Sequence, residues 1–231
     1  TDDNGNTTTC TATVTVQDII NPTAVCQNIT VQLDATGNVS ITTADIDNGS
    51  SDNCGIASLA LSDEDFDCTD VGANTVTLTV TDDNGNVSTC TATVTVEDNT
   101  LPTAICQNVT VQLDAAGNAS ITTADIDNGS GDNCGNVTLS LDNTTFDCTN
   151  VGANTVTLTV EDDNGNAATC QATVTVEDNI DPTAVCQDIT VQLDAAGMAS
   201  ITEDAVNGNS TDACGGLSFD TDVNECIWGY I

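Results

Sequence analysis

The sequence predicts an all-β chain, a tandem array of small antiparallel β-sandwiches, and three observations predict it. The 231 residues repeat with a period of 80: "TDDNGN" stands at 1–6 and 81–86, "EDDNGN" at 161–166, and "VGANTVTLTV" at both 71–80 and 151–160. Within a repeat, apolar residues alternate with polar ones at period 2 rather than 3.6, the mark of half-buried strands. Twelve cysteines recur at fixed places in that register.

The strand segments of residues 102–180 are "ICQNVTVQL", "NASITT", "VTLSL", "TVTLTVE" and "TCQATVTVE". Turn signals separate them at Ala116-Gly117-Asn118, Asp127-Asn128-Gly129, Val151-Gly152 and Asn164-Gly165. No segment keeps helical spacing for more than a turn. Six or seven short strands with turns at such intervals read as tandem immunoglobulin- or fibronectin III-like β-sandwich repeats of about 80 residues. A period this long suits an array of whole small domains rather than a solenoid. Counted from Pro22, Pro102 and Pro182, complete repeats span 21–100 and 101–180. Residues 1–20 then read as the C-terminal strands of a preceding repeat, and 181–231 as a partial, divergent one. The chain is expected to be a piece of a longer secreted protein.

Composition narrows the function. There are 36 Asp and Glu residues and no Lys, Arg or His, a formal charge of −36. No internal salt bridge can offset it, so a compact state needs cations from solution. Nucleic acid and anionic membrane binding are excluded, because both need basic side chains. Catalysis fits poorly as well: no His or Lys serves as base and no Ser or Cys has a base beside it, so no enzyme is expected. Each complete repeat holds one aromatic, Phe66 or Phe146, so the core rests on Val, Ile and Leu and needs staples.

The cysteines supply them. Twelve without histidine point to an oxidising, extracellular setting. No two stand closer than Cys214 and Cys226, which leaves no CxxC knuckle for zinc. Four cysteines per repeat allow three connectivities. Strand order favours Cys26–Cys90 with Cys54–Cys68, and Cys106–Cys170 with Cys134–Cys148; Cys214–Cys226 closes by the same rule. Cys10 and Cys186 are then unpaired or intermolecular. Truncation of an array accounts for them. So does a head-to-tail fibre in which "TCTATVTVQ" (9–17) completes the open 181–231 repeat of a neighbour.

The acidic residues of the second repeat fall into three clusters expected at one pole. The turn between the last two strands carries Glu161, Asp162, Asp163, Asn164 and Asn166, the loop after the second strand Asp125, Asp127, Asn128, Asp132 and Asn133, and the entering linker Glu97, Asp98 and Asn99. The first repeat offers Asp45, Asp47, Asp52, Asp82, Asp83, Asn84 and Asn86, and the next linker Glu177 and Asp178. Crowded carboxylate and amide oxygens make a hard-oxygen site, which suits Ca2+ with its six to eight such ligands better than Mg2+. Set against this, Asn84-Gly85 and Asn164-Gly165 are also plain hairpin-turn signals. The sequons at Asn28, Asn108 and Asn143 are candidate glycan sites.

The chain resembles the HYR (hyalin repeat) family and its bacterial relatives. The resemblance rests on Pro102 with Cys106 and on "VGANTVTLTVEDDNGNAATC" (151–170). That block is similar to the family's Gly-Thr-x-x-Val-x-(Tyr/Leu)-x-(Ala/Val)-x-Asp-x-x-Gly-Asn-x-x-x-Cys pattern, and "ATVTVED" (172–178) closes it. The resemblance implies an immunoglobulin-like fold and an adhesive or structural role at the cell surface, with no catalytic residues. Residues 181–231 depart from it, with "TDVNECIWGYI" where the second repeat has "TTFDCTNVGAN". The expected function is an extracellular stalk or filament segment of a cell-surface adhesin, stiffened by disulfides and Ca2+. Its partners would be neighbouring repeats or copies of itself. The alternatives are the strand-donating fibre subunit and a carbohydrate-binding module, for which only Trp228 and Tyr230 could supply the aromatic contacts, in a divergent end where core packing accounts for them equally well.

Overall fold

The computed structural model describes residues 1–218. The described residues divide into two compact units, one of Thr1–Thr100 with Asn133–Gly135, the other of Leu101–Asp132 with the described residues from Asn136 onward. Each is a β-sandwich, and the chain is all-β with tandem immunoglobulin-like sandwiches.

In the first unit the strands are β1 (Ile29–Gln32), β2 (Asn38–Ser40), β3 (Ile56–Leu61), β4 (Asp65–Asp67), β5 (Gly72–Asp82) and β6 (Val87–Glu97), with a one-turn helix α1 (Thr43–Ile46) after β2. One sheet runs β1-β6-β5-β3 and the other pairs β2 with β4. The long β5–β6 hairpin carries the core. Its alternation buries Val76, Leu78 and Val80 from one strand and Ala92, Val94 and Val96 from the other. Leu33, Ile41, Ile46 and Phe66 complete the buried cluster. On β5 the next inward position after Val80 is Asp82, which is 1% exposed. A carboxylate therefore ends the core row.

The second unit repeats the plan with β7 (Val109–Gln112), β8 (Asn118–Ser120), α2 (Thr123–Ile126), β9 (Val137–Leu141), β10 (Thr145–Asp147), β11 (Gly152–Asp162) and β12 (Ala167–Glu177). Its sheets are β7-β12-β11-β9 and β10-β8, over a core of Val156, Leu158, Val160, Val174, Val176 and Phe146.

Several expectations are corrected. The sandwiches are not wholly antiparallel: β1 runs parallel to β6, with Ile29 opposite Val94 and Val31 opposite Val96, and β7 parallel to β12. The run "ICQNVTVQL" gives a strand only over Val109–Gln112, while Cys106 makes an isolated bridge to Asp127. "NASITT" stops at Ser120, because Thr122 and Asp125 form a capping box that starts α2. Residues 1–20 form no strand, and Val14 and Val16 stand 84% and 91% exposed. A strand exists only through a ladder partner, and these residues have none here. Between 181 and 218 the described residues form one helix, α3 (Glu203–Val206), and bridges Thr183–Thr211 and Cys186–Asn207.

Candidate metal centre

The hexapeptide turn is built first by its own atoms. Asp82 accepts from the backbone N–H of Asn84 at 2.9 Å and of Asn86 at 2.8 Å, and from the Asn86 side chain at 2.7 Å. Asp162 does the same with Asn164 and Asn166. So does Asp2 with Asn4 and Asn6, although no hairpin flanks it. The turn is thus a local property of Asp-x-Asn-Gly-Asn. Burial pushes the Asp82 carboxyl up. Hydrogen bonds from the Asn86 side chain and from the backbone of Asn86, Asn84 and Gly85 outweigh it and hold the pKa below the ordinary value.

Many of the expected ligands serve their own backbone. Asp45 accepts from the Thr42 N–H and hydroxyl, both at 2.7 Å, and Asp125 from those of Thr122. Asp47 accepts from Ser50 and Asp127 from Ser130. Glu97 accepts from Gln32, whose Oε1 takes a hydrogen bond from Asn99; Glu177, Gln112 and Asn179 repeat this set. Asp98 is 4% exposed and accepts from the Thr100 N–H, and Asp178 from that of Ile180. Asp83, Asn84, Asp163 and Asn164 are exposed on their turns, and Asp132 is half-buried. The carbonyl oxygens of the sequon residues Asn28 and Asn108 brace the N–H groups of Thr93 and Thr173.

What the first unit does bring together is Asp18, Asp52 and the Cys54 thiol, whose ligand atoms lie within 4.8 Å of one another. Asn86 joins the hexapeptide turn to this group by donating to the Asp18 carbonyl at 3.3 Å. Asp52 is held by the Cys54 N–H at 2.7 Å. Asp18 Oδ1 accepts from the Ile20 N–H at 3.0 Å, while its Oδ2 is buried with no N–H or O–H donor in reach. Two carboxylates this close repel by roughly 3–4 kcal/mol at an effective dielectric of about 20, less with solvent screening. The Cys54 thiol is pushed up in pKa, first by its own weak hydrogen bond with Asp18, then by burial and by the charges of Asp18, Asp52 and Asp82. Asp18 was not among the expected ligands. Its signal was register, since the "QD" that it closes at 17–18 stands where "ED" stands at 97–98 and again at 177–178. The oxygen donors suit a hard cation; a thiol does not.

Among the described residues, four disulfides brace the units. Cys26 is bonded to Cys90 on β6 and Cys106 to Cys170 on β12. The other two correct the expected pairing: Cys68 is bonded to Cys134, and Cys148 to Cys214. Cys54–Cys68 does not form because the two lie at opposite ends of β5. Cys68 opens the 3-10 turn just before Gly72, whereas Gly55, next to Cys54, meets Asp83 just beyond Asp82. An 11-residue strand separates them, on the order of 30 Å, far beyond the reach of a disulfide. Cys134–Cys148 and Cys214–Cys226 are overturned because Cys134, Cys148 and Cys214 are bonded elsewhere. Cys226 itself lies outside the described residues, as do Trp228 and Tyr230. Gly37, at φ +76°, leaves room for Cys68: a Cβ there would meet its Sγ at 2.5 Å. Cys10, Cys54 and Cys186 are free and exposed.

No helix among the described residues is long and apolar enough to cross a membrane. A search of curated proteins finds no match. Similar solved structures include extracellular cadherin domains 1–4 of protocadherin gamma B7, at 12% identity over 75% of this chain and 55% of that one, with a TM-score of 0.35. Another is Drosophila N-cadherin EC1-4, at 12% identity over 68% of this chain and 50% of that one, with a TM-score of 0.38. The chain spans about half the length of these two structures. Residues 97–176 match the family model of the HYR domain and form an HYR-like repeat.

Proposed function

We propose that the chain is a non-enzymatic segment of an extracellular stalk in a repetitive cell-surface adhesin, braced by disulfides and stiffened by Ca2+. Its repeats are taken as 21–100 and 101–180, flanked by 1–20 and 181–231. The observation that carries the metal reading is the buried Oδ2 of Asp18, which no N–H or O–H donor reaches, in a group with Asp52. Burying a carboxylate oxygen without such a donor is costly, and a second carboxylate beside it adds to the cost. A divalent ion would relieve both, with Asp18 and Asp52 as its anionic ligands. Among the expected ligands Asp52 remains in this role. Asp82 and Asn86 support it by holding the turn that reaches Asp18, and by register Asp98 and Asp178 supply the same carboxylate to later linkers. Asp45, Asp47, Asp125 and Asp127 are better read as caps. Melting curves and X-ray scattering of the full chain test this. Calcium should raise the melting temperature and narrow the spread of dimensions relative to EDTA, and identical curves would count against it.

A second reading, strand donation between copies, is favoured by one observation. Leu193 is 63% exposed, whereas its counterparts Leu33 and Leu113 are 6% and 3% exposed. Residues 9–17 of another copy, with Val14 and Val16 uncovered, would supply the missing apolar cover. Multimers linked Cys10–Cys186 on non-reducing gels would support it, and a strict monomer with both thiols free would dismiss it.

A further inference from the structure

The four disulfides interlace along the sequence. The loop closed by Cys26–Cys90 overlaps that of Cys68–Cys134, which overlaps that of Cys106–Cys170, which overlaps that of Cys148–Cys214. Every peptide bond from residue 26 to residue 214 therefore lies inside at least one covalent loop. The linker 97–103 is included: it falls outside both Cys26–Cys90 and Cys106–Cys170 and is enclosed by Cys68–Cys134 alone.

We propose that this interlacing makes the chain a nick-tolerant, extension-limited covalent tether. Two consequences define the function. Any single backbone cut between 26 and 214 leaves the pieces joined through the disulfide that spans it. Tension applied at the ends also takes a short route. It crosses Cys26–Cys90, runs back along the chain to Cys68, crosses to Cys134, runs on to Cys148 and crosses to Cys214. Roughly 36 residues of backbone lie on that route, against roughly 188 along the chain. Fully extended, it spans about 120–130 Å rather than roughly 620–680 Å. A second route has nearly the same length: on from Cys90 to Cys106, across to Cys170, then back to Cys148. Loss of either middle bond therefore leaves the limit in place. Pairing within each repeat would leave the linker outside every loop, so a cut there would part the chain, and the short route through Cys26–Cys90 and Cys106–Cys170 alone would lengthen to roughly 60 residues.

Such a tether works only where disulfides persist, outside the reducing cytosol. The inference rests on the stalk reading only for the source of the tension. The connectivity is tested without it and without any metal.

The test is the full chain carrying a site-specific protease sequence inserted between Asn99 and Thr100. After complete cleavage it should migrate as one species on a denaturing non-reducing gel and separate into two pieces with reductant. The same chain with Cys68→Ser and Cys134→Ser should separate without reductant. Separation of the parent chain without reductant would overturn the proposal. A second measurement avoids the insertion. In single-molecule pulling of the full chain, reduction should release about 500–550 Å of extra contour, from the roughly 152 residues held back by the short route. A gain of about 420–460 Å, the value for a route through Cys26–Cys90 and Cys106–Cys170 alone, would equally overturn it.

Discussion

Asn86 donates a hydrogen bond from its side-chain amide to the backbone carbonyl of Asp18, 68 residues earlier, while the same amide also donates to Asp82. One side chain thus closes the hexapeptide turn and ties it to the segment entering the first unit. Asn86→Leu should destabilise that unit by about 1–2 kcal/mol, the usual loss for hydrogen bonds of this kind. Asn84→Ala, on the exposed tip of the same turn, should lie within about 0.5 kcal/mol of the parent. Denaturant titrations of the two variants check the contrast.

The hairpin cores make a parallel prediction. Leu78 and Leu158 are fully buried at corresponding places in the two units. Truncating either to Ala should cost about 2–5 kcal/mol. Val16→Ala, at a position 91% exposed, should stay within about 0.5 kcal/mol. Thermal melts of the three variants separate the cases.

Removing the Cys26–Cys90 bond by a double Cys→Ser change should lower stability by about 4 kcal/mol, the loop-entropy value for its 64-residue separation. Equilibrium unfolding of the oxidised variant reads this directly.

Thiol chemistry gives an independent check. In chelator, native alkylation and peptide mapping of residues 1–218 should label Cys10, Cys54 and Cys186 alone. Cys54 should react more slowly than Cys10, because its bond with Asp18 and the nearby charges disfavour the thiolate. Asp18→Asn should speed it up. An unchanged rate would dissociate the thiol from that carboxylate.

Acid should destabilise the fold even as it removes charge. Asp45 and Asp67 are held below the ordinary 3.8 chiefly by the side chains of Thr42 and Thr69, and Asp125 chiefly by the Thr122 N–H. Such groups contribute stability above the unfolded pKa and lose it as pH falls through the lower folded value. The melting temperature should therefore be level above about pH 5 and fall below about pH 4. A rise through that window would mean that relief of repulsion among the 36 carboxylates dominates instead.

The long strands were legible because Val76, Leu78, Val80, Val94 and Val96 alternate with polar residues along two 11-residue strands. The shorter elements were not. Asn38–Ser40 and Asp65–Asp67 are three residues each, below the length at which a period shows, and α1 is set by a capping box rather than by spacing. The parallel β1–β6 pairing depends on where the chain returns after Pro22, which alternation does not encode. The pairing of Cys68 with Cys134 is not legible because it crosses the repeat boundary, and a repeated register marks each cysteine's place without marking which copy its partner stands in. Of the acidic residues, sequence could mark all as oxygen-rich but could not tell Asp45, which caps a helix, from Asp52, which lies beside another carboxylate. Both accept a local backbone N–H, and the difference is that the fold brings Asp18, distant in sequence, beside Asp52.

The central functional claim is a divalent ion held at Asp18 and Asp52. Calorimetric titration of Ca2+ into the metal-free full chain, beside a chain carrying Asp18→Asn and Asp52→Asn, tests it most directly. The account predicts saturable binding by the parent, with binding at this site abolished in the double variant while the rest of the isotherm is kept. Indistinguishable isotherms for the two chains would contradict it.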